Sequence, residues 1–81
     1  MKDSVVALEV CDDTMLFASA RGAADFLMNR AMRHGYSVLT DVGTPAATTD
    51  VIIGVLDSQR SVFIYDHGEM IGHACWVMVR P

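Results

Sequence analysis

Asp50-Val51-Ile52-Ile53-Gly54-Val55-Leu56-Asp57 is the stretch on which the fold turns. Six residues between two aspartates are apolar apart from one glycine, and four of them are β-branched. With no polar alternation, the run reads as a strand buried on both faces and so central in a sheet. Immediately before it, Val42 to Thr49 reads as a loop, within which Pro45 offers an alternative short helical turn capped by Thr44. Immediately after it, Asp57-Ser58-Gln59-Arg60 makes a polar turn.

Upstream, Val5 to Val10 and Thr14 to Ala18 are β-prone and flank Asp12-Asp13, which predicts a hairpin. With those aspartates as a two-residue loop, Val10 faces Met15 and Leu8 faces Phe17. Val6, Leu8, Val10, Met15 and Phe17 then share one side, and Glu9, Cys11 and Thr14 the other. Burial favours this sorting, because a one-residue slip would invert it. Ser19 is the N-cap of a helix reaching about His34, and Gly35 stands where helices end in the left-handed conformation. At 100° per residue, Ala20, Ala23, Ala24, Leu27, Met28 and Ala31 form one apolar arc, small enough to lie close to a sheet. Phe26 falls outside that arc, beside Arg30 and Arg33. Tyr36 to Asp41 is a short strand.

Downstream, Ser61 to Asp66 and Glu69 to Val79 flank His67-Gly68, a second hairpin. With that loop, Tyr65 pairs with Met70, Phe63 with Gly72 and Val62 with His73. One face carries Val62, Ile64, Ile71, Cys75, Val77 and Val79. The other carries Phe63, Tyr65, Met70, Ala74, Trp76 and Met78. Both are apolar, whereas an antiparallel sheet with one helix should be polar on its far side. The expected fold is therefore a single α+β domain over residues 1–81. A small antiparallel sheet of five or six strands carries one helix on a face, in the order ββαβ(β)ββ.

The 81 residues leave no room for a second domain. At 52% apolar and 20% charged, the chain is too greasy for intrinsic disorder. Its longest apolar stretches are far short of the ~20 residues that span a bilayer, and the start of the chain does not read as a secretory signal, so a cytoplasmic address is expected. A net charge of −4 argues against nucleic acid, whose phosphates require clustered Lys and Arg. So short a domain often needs a staple or a second chain. Cys11 and Cys75 read as reduced thiols, not as a disulfide.

The residues that carry chemistry are sparse. His73 and Cys75 lie two apart on one strand with His67 nearby, but a tetrahedral zinc site needs four ligands, and no second close pair supplies them. A Cys–His nucleophile would draw on Cys11 or Cys75 with His34, His67 or His73, and no oxyanion hole or orienting third group accompanies them. The aspartates sit singly at turns, and no phosphate-cradling glycine motif occurs. No cofactor, metal site or catalytic residue is expected. What stands out is apolar surface. Phe63, Tyr65, Met70, Trp76 and Met78 have no obvious cover within the chain, and aromatic residues and Met are enriched where proteins meet. Phe26, Arg30 and Arg33 form a second candidate contact of the aromatic-plus-arginine kind.

A strand, Ser19, an alanine-rich helix and the Gly35-Tyr36 strand look similar in outline to several small phage-encoded inhibitors, including some anti-CRISPR proteins. The likeness spans residues 5–41 and carries over no individual residue. It implies a protein without catalytic groups that occupies a surface of a larger complex. Leu8-Glu9-Val10 with Asp12-Asp13 and the following helix also resembles small regulatory ligand-binding domains of the βαββαβ type. The expected function is non-catalytic: binding a larger protein so as to inhibit or regulate it, with homodimerisation through part of the same surface. The alternative is a small-molecule-binding regulatory domain, ahead of a Cys/His enzyme or zinc site.

Overall fold

In a computed structural model, residues 4–78 are described. They form β1 (Ser4–Val10), β2 (Asp13–Phe17), α1 (Ala20–His34), β3 (Ser37–Thr40), α2 (Thr49–Asp57), β4 (Val62–Asp66) and β5 (Glu69–Met78). The five strands make one antiparallel sheet in the order β2-β1-β5-β4-β3. The α+β class and the antiparallel sheet agree with the sequence reading. The helix count does not, because there are two helices and the order is ββαβαββ.

The correction lies in Val51 to Leu56, which is helical. Thr48, in extended conformation, caps α2 by accepting the Val51 N–H on its hydroxyl at 3.2 Å, and Asp50 sits in the first turn where the helix dipole favours a carboxylate. Burial then follows helical periodicity. Ile52, Val55 and Leu56 are buried while Val51 and Gly54 face solvent. A run that apolar looks two-sided to a strand template, yet it equally furnishes one buried stripe of a short helix. The cap three residues upstream decides between them. Pro45 opens no helical turn: it bridges Leu39 of β3, and the Ala46 N–H donates to the Val38 carbonyl at 2.8 Å.

The first helix is as expected. Ser19 Oγ accepts the Gly22 N–H at 3.1 Å, and Gly35, at φ 73°, closes the other end by donating to the Ala31 carbonyl. Ala20, Ala23, Ala24, Leu27 and Ala31 are all buried, so the alanines let α1 lie close to its neighbours. Both helices cover the same side of the sheet, α1 over β2 and β1, α2 over β4 and β5. One core results, filled by Val6, Leu8, Val10, Val38, Val62, Ile64 and Ala74 from the sheet and Leu27, Ile52, Val55 and Leu56 from the helices. The smallest extent of the molecule, 20 Å, is that of two layers.

The hairpin registers carry two further corrections. In the first, the loop is Cys11-Asp12, with Cys11 left-handed at φ 56°, so Leu8 opposes Met15 and Val6 opposes Phe17. A shift of two residues preserves parity, which is why the expected sorting of faces survives. In the second, His67 and Gly68 do make the turn, both at positive φ, and Tyr65 does oppose Met70. A β-bulge then inserts an extra residue, so that Ile64 opposes Gly72, Phe63 opposes His73 and Val62 opposes Ala74. One added residue inverts every downstream side chain. Ala74 and Trp76 consequently join Val62 and Ile64 on the helix side, while Cys75 and Val77 join Phe63 on the other. Val79, expected on the aliphatic face, lies outside the described residues.

Candidate functional site

The side of the sheet away from the helices has no second layer among the described residues. Its side chains lie in rungs across the strands, fixed by the pairings. One rung is Leu16, Ala7 and Cys75; a second is Thr14, Glu9, His73, Phe63 and Leu39; a third brings together Ser37, Tyr65 and Met70; and Val5 stands opposite Val77. Leu16 is 64% exposed and Met70 53%. Phe63, Tyr65, Leu39 and Cys75 are half-buried by their own neighbours in the sheet.

Among the described residues, the carboxylate and imidazole of this face meet in its middle. His73 Nδ1 lies 3.8 Å from Glu9 Oε1, and the imidazole also tilts against the Phe63 ring at 6.4 Å between centroids. The pair is exposed, of the sort that contributes little to stability. Cys75, one rung along from His73, and Cys11, at the hairpin turn, are both free thiols. No group of three or more His, Cys, Asp or Glu is gathered for a metal among the described residues.

Of the residues singled out from sequence, Phe63, Tyr65 and Met70 share this open face. Trp76 does not. It pairs with Val6 and packs half-buried against the core from the helix side. Met78 also belongs to the helix side by register, opposite Ser4 at the end of β5, where it is 76% exposed. Sequence reasoning missed Leu16, Leu39, Cys75 and Val77 as members of the open face. Leu16 was within reach from the alternation of the first hairpin. Cys75 and Val77 depended on the bulge.

Phe26, Arg30 and Arg33 lie together on the flank of α1. The Phe26 ring leans on Phe17 of the edge strand β2, with centroids 5.5 Å apart. Together with Asn29 and His34, the three line a shallow cavity of about 220 Å³. Arg21 is within 4.0 Å of Asp25, and Arg60 donates to Asp41 at 2.6 and 2.9 Å. Among the described residues Arg30 and Arg33 have no carboxylate partner, and Arg30 Nε is buried without a hydrogen bond. The Asp41–Arg60 hydrogen bond holds the Asp41 carboxyl below its ordinary range and raises the Arg60 guanidinium. It joins the end of β3 to the segment leading into β4. No helix among the described residues is long and apolar enough to cross a membrane. No protein family, curated protein or solved structure matches this chain.

Proposed function

We propose that this chain is a non-catalytic protein-binding module of the cytoplasm that inhibits or regulates a larger partner. The observation that carries the reading is the open sheet face, where Leu16, Leu39, Phe63, Tyr65, Met70 and Val77 lie opposite both helices. A contiguous apolar patch on a small domain marks a contact surface, because removing such a patch from water lowers the free energy. The α1 flank supports the same reading. Phe26 supplies an aromatic anchor, and Arg30 and Arg33 supply two cations not engaged by carboxylates among the described residues, a combination over-represented at binding hot spots. A surface of this type suits a carboxylate-bearing protein segment laid along the helix.

Photo-crosslinking in cells tests the reading. A benzoyl-phenylalanine at position 63 or 26 should yield discrete protein adducts, while the same group at the solvent-facing Asp57 should yield none. Equal, diffuse labelling at all three positions would overturn it.

A further inference from the structure

Resting on that reading of the open face as a contact surface, we propose that its occupant is a second copy of this chain, packed sheet against sheet with the helices outward, which leaves the α1 flank of Phe26, Arg30 and Arg33 to the larger partner. Three observations lead there. The first is size. At ~4.8 Å between strands and ~3.4 Å per residue, the described strands cover roughly 500 Å² in plan. Side-chain relief raises the accessible area toward the ~800 Å² per partner of an ordinary stable interface. A copy of the same sheet matches that footprint edge to edge.

The second is charge. The chain carries a net −4, a bias that opposes self-association wherever like charges meet. On the open face the one carboxylate among the described strand rungs is Glu9, and it already lies 3.8 Å from the His73 imidazole. A two-fold axis through that pair sets each copy's Glu9 toward the other's His73. This is the self-complementarity an isologous interface requires. The third is composition. Apart from that pair, Thr14 and Ser37, the face is apolar, as in obligate homodimers, whose interfaces resemble a core cut in half. For an 81-residue chain with a two-layer core, a shared third and fourth layer is the economical way to finish burial.

The two free thiols provide the test. Cys75 lies on the central strand of the open face, and Cys11 is exposed at the hairpin turn that ends β1. Light scattering and sedimentation should give twice the 8.8 kDa chain mass at concentrations of about 100 μM, well above a micromolar Kd. Maleimide labelling of Cys75 should then slow about tenfold or more on going from dilute to concentrated protein, and by much more than labelling of Cys11 at the exposed turn. Phe63→Asp should return a monomer with Cys75 reactive. Should that variant fail to fold, Leu16→Asp, at the exposed edge of the face, serves the same purpose. A monomer at every concentration with Cys75 reactive overturns the dimer and leaves the face open to a different protein. A dimer in which Cys75 labels at the monomer rate also overturns it, since the contact then lies elsewhere. Cys75 inert in the dilute monomer would mean the face is covered within one protomer, and the proposed function falls as well.

Discussion

The same chemical change, glycine to alanine, should have opposite effects at two positions. Gly54 is solvent-facing in the middle of α2, and a methyl added there meets nothing within 4 Å. Alanine in a helix interior is favoured over glycine by about 0.5–1 kcal/mol, mostly through the freedom glycine loses on folding. Gly72 sits in β5, bonded to β1 on one side and β4 on the other. A methyl there would run into the Glu9 carbonyl oxygen and come within 2.9 Å of Val10 Cα. Those are backbone atoms of a neighbouring strand and have no rotamer by which to yield. Overpacking of flexible cores costs about 1–3 kcal/mol, and a backbone clash belongs at or above the upper end. A domain of this size is stabilised by roughly 4–12 kcal/mol in all. Gly72→Ala should therefore lower Tm by about 12–24 °C, and Gly54→Ala should raise it by about 2–8 °C. Thermal melts give both Tm shifts and urea unfolding both free-energy changes, each followed by far-ultraviolet circular dichroism and by Trp76 fluorescence at one fixed protein concentration. A destabilising Gly54→Ala would refute the helical assignment of Val51 to Leu56. A neutral Gly72→Ala would refute the close β1–β5 approach.

Thr40 is buried and serves as a hub. Its hydroxyl is 2.7 Å from that of Thr44 and accepts the Val42 and Thr44 N–H groups at 3.3 Å. Thr40→Val should cost about 1–3 kcal/mol by leaving those groups unpaired, with Thr40→Ser retaining most of the stability in the same urea assay. The Asp41 carboxyl is held below its ordinary value of 3.8 in the folded chain, first by its hydrogen bond from Arg60. A depressed carboxylate stabilises the fold above its unfolded pKa, and that contribution disappears as pH falls through the folded pKa. Thermal melts should accordingly show wild type above Asp41→Asn near neutrality, with the gap closing under acid below 3.8. A gap that widens in acid would contradict the pairing.

How much was legible in the sequence depended on whether the signal was local. The first helix was readable because Ser19, the alanine arc and Gly35 all lie within it and agree. The faces of the first hairpin were readable although its loop was misplaced, because a two-residue shift leaves side-chain parity intact. Val51 to Leu56 was misread for want of weight on Thr48, the cap that makes a helix of an otherwise ambiguous apolar run.

Composition and alternation by themselves determined a small α+β domain with more apolar strand surface than one helix can shelter. Tertiary structure alone decided which side chains that surplus comprises. The bulge at the Ile64/Tyr65 step, fed by the pairing of β5 with two neighbours at once, turned Trp76 inward and Cys75 and Val77 outward. A strand's side chains alternate with a period of two, so one residue inserted anywhere along it exchanges its faces, and only the partner strands fix where that insertion falls.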